Sequence, residues 1–421
     1  MRTKARDLNG LLPSSTDASA SFGQLNEHAR ENLKHLDDGL FRHWCLGRNI
    51  ILNWCPSASG IDVLVVPHYL IATFATTHPS IPEQEAPLHP KAPPAGGSAE
   101  NFVRNLITGT RQASSETLAH IAELFEIKPT HIKLPFPLNE GVLDVDLIDE
   151  VIRRYSFSFV ENRAVALFDI PEFTLYEAFD QMTQLNSLAY SANSAHSKLL
   201  NKKITMDFTR STTGDGFYIW NRDSSIQGNM NLYHFMHLIL ADNAIARSKA
   251  KGNTTPVLKT AFHIASDYEF YQAEGLHPTM YNYIVGDVTI ELARMVEYAL
   301  PGQILVGDFQ TTIPESDAPE ANLITINTIS FIDKLQESLT KLRGIELSGE
   351  KIESIKCYLT GERGRNGEFK ISKYKITDKH GMTRNVYNAK INIYRRGGEP
   401  IFLGIQEKDV ARSRIAKSAQ S

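Results

Sequence analysis

From residue 160 onward the apolar residues switch repeatedly between two periods, and this alternation limits what the chain can fold into more than any other feature. Short apolar runs bounded by turn residues mark strands, and longer stretches with apolar residues three and four apart mark helices. "AVALFDI" reads as a buried strand, "TLYEAFDQMTQLNSLAYSANSAHSKLL" as a long helix, and "ITMDFTRSTTGDGFYIWNR" as two strands around a tight turn. "NMNLYHFMHLILADNAIARSKAK" is a second helix, and "VLKTAFHIASDYEFY" and "TMYNYIVGD" are strands. "VTIELARMVEYA" is a helix entered directly from the last of these, and "GQILVGD" and "KIESIKCYLTGE" are again strands. Alternation of this kind predicts an α/β sandwich with helices packed on a sheet.

The flanking segments differ. Residues 1–76 contain one amphipathic helical pattern, around "LNEHARENLKHL", and no other trusted pattern. Residues 77–99, "THPSIPEQEAPLHPKAPPAGGSA", are too poor in large apolar side chains to build a core and read as a linker. The most apolar stretch, "IDVLVVPHYLIATFA", is too short for a membrane span and is broken by Pro67 and His68, so buried strand or helix is expected. "MRTKARDLNGLLPSSTDASASFG" lacks the continuous apolar run of a signal peptide, and the three cysteines form no CxxC pair or zinc spacing. These features predict a cytoplasmic protein with free thiols and no membrane partner. A net charge of −4 argues against a generally basic nucleic-acid coat.

Residues 100–135 read as a separate helical segment, in which Phe102, Leu106 and Ile107 recur at helical spacing and Ser115 opens a second helix. "GTRQASSETLAHIAELFEI" resembles the second half of a phage-repressor-type helix-turn-helix domain. Its first half would have to come from "HARENLKHL", across the Pro-rich stretch. The resemblance implies that DNA, if it is a partner, meets Arg104, Thr108, Thr110 and Arg111. A small helical packing module is the alternative. Residues 361–408 alternate apolar and polar side chains around Gly-containing turns, which predicts a small antiparallel β extension with a basic face.

Two aspartates sit at predicted strand ends: Asp169 in "LFDIPEFT" and Asp215 in "STTGDGFYIW". Gly214 and Gly216 permit a tight hairpin tip at which a second carboxylate can come within one ion's reach, an arrangement suited to Mg²⁺ or Mn²⁺ holding triphosphate oxygens.

Residues 158–360 resemble the catalytic domain of class III nucleotidyl cyclases. "FDIPEFT" matches the first metal motif of that family, "STTGDGFYIW" its hairpin motif, and "TAFHIA" the strand carrying a histidine, here His263. "YIVGDVTIELARM" matches the strand-to-helix segment, "ALPGQILVG" the following strand, and "LSGEKIESIKCYL" the terminal Lys-Gly strand. The resemblance implies a ferredoxin-like α+β sandwich. It implies two Mg²⁺ or Mn²⁺ ions per site, held by Asp169, Asp215 and the Ile170 carbonyl, with Phe173 and Thr174 beside the substrate. It makes Arg294 the arginine on the transition-state phosphate and Lys351 the phosphate lysine. The implied reaction is attack of a ribose 3′ oxygen on the α-phosphorus of a nucleoside triphosphate, at two sites shared across a homodimer.

The base-reading positions depart from the family pattern, since Ser211 stands for the usual lysine and Tyr283 for its aspartate partner. ATP is the first expectation, and pyrimidine triphosphates the alternative. Ile290 replaces the asparagine that orients the ribose, so the alternative function is a catalytically degenerate regulator that keeps the fold and binds nucleotide or DNA.

Overall fold

Asn26 opens the first helix by accepting a hydrogen bond from the Ala29 amide at 2.8 Å, and Cys45, with φ of 52°, ends it. The computed structural model describes residues 25–77, 99–138, 143–273, 280–314, 323–347, 349–363, 369–410 and 416–417. Residues 78–98 of the expected linker lie outside these. The chain divides into two compact units, Met1–Val160 with Tyr268–Ile284, and Glu161–Asp267 with Val285–Ser421.

The first unit holds α1 (Glu27–Trp44), β1 (Asn49–Ser57), β2 (Gly60–Pro67), α2 (His68–Thr77), α3 (Ala99–Leu106), α4 (Ser115–Leu124), β3 (Thr130–Lys133) and α5 (Val145–Arg153). β1, β2 and β3 form an antiparallel sheet in that order. One core joins Leu33, Leu36 and Leu40 of α1 to Ile148 and Ile152 of α5 through Ile51, Ile61 and Val63. A second joins Ile71 and Phe74 of α2 to Phe102, Leu106, Leu118 and Ile121 through Ile50, Leu52, Leu64 and Val66. The two short helices expected as a separate segment therefore complete a layer against β1 and β2. The apolar stretch 61–75 is half strand and half helix.

The second unit is built on β4 (Phe157–Asp169), α6 (Ala178–Asn201), β5 (Phe208–Thr212), β6 (Gly216–Asn221), α7 (Ile226–Lys249) and β7 (Lys259–Ala273). β8 (Met280–Val285) follows, in the first unit up to Ile284, and the second unit continues with α8 (Asp287–Tyr298), β9 (Ile304–Gly307), the hairpin of β10 (Gln310–Pro314) and β11 (Leu323–Asn327), α9 (Thr328–Ser338), β12 (Glu346–Leu347) and β13 (Glu350–Leu359). The chain closes with β14 (Gly361–Arg363), β15 (Phe369–Ile371), β16 (Lys373–Thr377), β17 (Thr383–Arg395), β18 (Gly398–Leu403), α10 (Glu407–Val410) and β19 (Ala416–Lys417). The large mixed sheet runs β12-β13-β17-β9-β7-β4-β6-β5, with β8, β16 and β18 paired at its sides. β7 and β9 are parallel, while β4–β6, β5–β6, β9–β17 and β13–β17 are antiparallel.

The expected C-terminal extension does not stand apart from this sheet. β17 lies between β9 and β13, because Val386, Ala389, Ile391 and Ile393 are as apolar as a central strand requires. Ala164, Ala166, Phe168 and Ile170 point into the core that α6 and α7 cover. By strand alternation Arg163, Val165, Leu167 and Asp169 lie on the opposite face. There Arg163 and Asp267, both buried, pair at 2.9 Å. Among the described residues no helix is long and apolar enough to cross a membrane.

Candidate functional site

β4 ends at Asp169, and the turn between β5 and β6 carries Asp215. The register pairs Asp169 with Gly216, so the two aspartates are one residue out of step on adjacent strands. The Ile170 amide donates to the Asp215 carbonyl at 3.0 Å, which ties the end of β4 to the turn. Gly214 has φ of 99°, in the region that disfavours side chains, and a Cβ at Gly216 would lie 1.9 Å from the Phe168 carbonyl oxygen. One glycine thus permits the turn, and the other permits the approach of the strands.

The Asp169 carboxyl group is 19% exposed and its Oδ2 lies 4.0 Å from Lys259 Nζ. Burial first, then the Asp215 charge, raise its pKa to about 6, and Lys259 acts in the opposite direction. The Thr213 hydroxyl donates to Asp215 Oδ1 at 3.1 Å. The Tyr218 hydroxyl donates to the Thr289 carbonyl at 3.1 Å, joining the sheet to the first turn of α8. Its ionisation is pushed up by burial and then by the Asp169 and Asp215 charges, so both carboxylates act on the same space. Asp169, whose ionisation the Asp215 charge opposes, and Asp215 itself form an oxygen donor set suited to a hard divalent cation, which would relieve that opposition. Among the described residues no three His, Cys, Asp or Glu side chains cluster, so an ion here would complete its shell with carbonyl, water or substrate oxygens.

Ser211 faces Tyr218 in the β5–β6 register and shares its face with Asp169. Ile170 is buried at the strand end, while Phe173, half-buried, and Thr174, exposed, lie in a short 3₁₀ turn just beyond. Tyr283 stacks on Phe270 at 5.7 Å in the first unit. Arg294, on α8, is 29% exposed and pairs with Glu297 at 3.3 Å and Asp378 at 3.7 Å. Arg384 extends this network, reaching Glu291 at 2.8 Å and Asp378 at 3.1 Å. Ile290 is 52% exposed. Lys351 is exposed on β13, separated from β4 by β17, β9 and β7, roughly 19 Å at ordinary strand spacing. The structure does not bring it to the carboxylates of its own chain. His263 is buried on β7 with no hydrogen-bond partner at Nδ1, and burial lowers its pKa to about 4.

Sequence reasoning missed Lys259 and Tyr218. Tyr218 is three residues beyond Asp215 in "GDGFY", on the alternation that places it on the face of Asp169, and that periodicity was the available signal. Lys259 carried none, since its closeness to Asp169 depends on β7 lying next to β4.

The expected DNA contact at Arg111 is corrected. Its side chain is wholly buried and donates to the carbonyls of Leu106 at 2.9 Å and Phe157 at 2.6 Å and to the Ser158 hydroxyl at 3.1 Å. Its amide donates to Asp149 Oδ1, which also accepts from the Trp54 indole at 3.0 Å and the Thr110 hydroxyl at 3.2 Å. Arg104 pairs with Glu100 at 2.9 Å and lies over the Phe159 ring, and the Thr108 hydroxyl donates to the Arg104 carbonyl. These side chains hold the helices to their own unit.

No family model matches the chain, and no curated protein matches it. Among solved structures, the adenylyl cyclase CyaB from P. aeruginosa is 13% identical with a TM-score of 0.32, covering 56% of this chain and 95% of that one. The guanylate cyclase domain of RhGC from Catenaria anguillulae, solved in complex with GTP, is 11% identical with a TM-score of 0.30, covering 57% and 99%. A bacterial light-regulated adenylyl cyclase is 12% identical with a TM-score of 0.26, covering 44% and 100%.

Proposed function

We propose that the chain is a cytoplasmic nucleotidyl cyclase of the class III kind. It converts a nucleoside triphosphate, ATP first and a pyrimidine triphosphate as the alternative, into a 3′,5′-cyclic nucleotide and pyrophosphate for intracellular signalling. The observation that carries this reading is the convergence of Asp169 and Asp215 on one strand end, joined through the Ile170 amide and the Asp215 carbonyl. The motifs quoted above, in family order, support it. So does the mixed α/β path β4-α6-β5-β6-α7-β7 with sheet order β7-β4-β6-β5.

Asp169, Asp215 and the Ile170 carbonyl would hold two Mg²⁺ or Mn²⁺ ions, which supply a lowered pKa for the attacking ribose hydroxyl and neutralise triphosphate charge. Lys259 lies beside Asp169, while Tyr218 holds the first turn of α8 to the sheet. Ser211 offers the base a hydrogen-bonding hydroxyl. Arg294 would act on the phosphate of a partner subunit in a homodimer, after leaving Glu297 and Asp378. Lys351 would likewise serve a site only across that dimer.

A second reading, a degenerate regulator that binds nucleotide without turnover, is favoured by the ion pairs that hold Arg294 and by the apolar Ile290. Incubation with Mn²⁺ and each ribonucleoside triphosphate, followed by mass spectrometry, separates the two. A cyclic monophosphate lost in Asp215→Ala establishes the cyclase and names its base. A folded dimer giving no product from any triphosphate moves the assignment to the regulator.

A further inference from the structure

Away from the carboxylates, the second unit contains a cavity of about 520 Å³ between α9, the end of β13 and the chain entering α10, a size ordinary for a small-molecule site. Ile329, Ile332, Leu359 and Ile371 give it apolar lining, and Lys390 of β17 reaches it from the central strand. Lys390 is only 7% exposed. Its ammonium donates to the Gly404 carbonyl at a long 3.3 Å, and no carboxylate of the described residues forms an ion pair with it. An ammonium has three donors, and a buried charge without a counter-ion is held at a cost that an anion relieves.

The cavity also defines what that anion is not. Asp333 and Glu407 line it too, and Glu407 is fixed by hydroxyls, accepting from Thr360 at 2.7 Å and Ser372 at 2.8 Å. A di- or triphosphate would bring several negative charges to one ammonium and two carboxylates. A single carboxylate adds the least negative charge that can still pair with the one ammonium, and the apolar lining needs an apolar body.

We propose that this cavity binds a small monocarboxylate with an apolar body, its carboxylate paired with Lys390 and its body lying on Ile329, Ile332, Leu359 and Ile371. Burial, opposed by the Asp409 charge, holds the Lys390 pKa below the ordinary lysine value. The inference is independent of the cyclase reading and stands or falls apart from it.

Calorimetric titration of the full chain with hexanoate and phenylacetate, and with hexanamide and phenylacetamide as neutral counterparts, tests the site. Saturable binding of an acid but not of its amide is expected. Lys390→Met should weaken it at least roughly tenfold, the size of one lost charge-assisted contact. Ile329→Trp, which fills the cavity from the partly exposed start of α9 and leaves Lys390 in place, should abolish it, and this variant decides if Lys390→Met does not fold. No saturable binding by either acid, equal binding of acid and amide, or unchanged affinity in a folded variant overturns the proposal.

Discussion

The Ile170 amide donates to the Asp215 carbonyl at 3.0 Å, and this one backbone bond fastens the end of a central strand to the turn of the neighbouring hairpin. Both aspartate side chains are placed by it. Gly216 is what lets the two strands meet, because a Cβ there would sit 1.9 Å from the Phe168 carbonyl oxygen. Gly216→Ala should lower stability by about 1–3 kcal/mol and displace Asp215. Thermal unfolding and Mn²⁺ titration check this, and a variant that binds Mn²⁺ normally at an unchanged Tm would contradict it.

Ile290 stands 52% exposed on α8, one residue beyond the carbonyl that Tyr218 holds. Ile290→Asn should therefore leave stability within about 0.5 kcal/mol. If the asparagine of the resembled family orients the ribose here, product formation with Mn²⁺ rises by at least about tenfold. The initial rate of cyclic nucleotide formation is the readout, and an unchanged rate would remove Ile290 as the limiting residue.

Arg111 is a structural arginine. Replacing it with Met strips the Leu106 and Phe157 carbonyls and the Ser158 hydroxyl of their donor inside the first unit. A loss of about 2–4 kcal/mol is expected in denaturant unfolding. An electrophoretic shift assay should show no selective loss of DNA affinity at conditions where the variant remains folded. A stable variant with lost DNA binding would show that Arg111 meets DNA after all.

Acid should destabilise the second unit between about pH 6.5 and pH 4. His234 and His263 are buried, and each has its pKa lowered from 6.5 to about 4. Desolvation is the main cause for both. Lys341 also lowers that of His234, whereas the Asp308 and Asp287 charges act to raise that of His263. A folded pKa below the unfolded one means that the unfolded chain takes up protons first. The contribution is full above pH 6.5 and is lost as pH falls towards 4, up to about 3 kcal/mol per histidine. His234→Gln, which cannot ionise and can still meet the Ser338 hydroxyl, should flatten part of that slope in unfolding midpoints measured across the range.

What the sequence determined by itself was local. Period and turn chemistry were enough to find β4, the β5–β6 hairpin, the long helices α6 and α7 and the entry into α8, because each is specified by neighbours within a few residues. The glycines on either side of Asp215 likewise announced a tight turn. Long-range pairing was decided only in the folded chain. β17 reads as one more alternating strand at the end of the sequence, yet it sits between β9 and β13, and nothing local states which edge a strand will join. Arg111 reads as a basic residue in a polar turn, and only the carbonyls of Leu106 and Phe157 closing around it make it part of a core. The nearness of Lys259 to Asp169 and the distance of Lys351 from it follow from strand order, a property of the whole sheet.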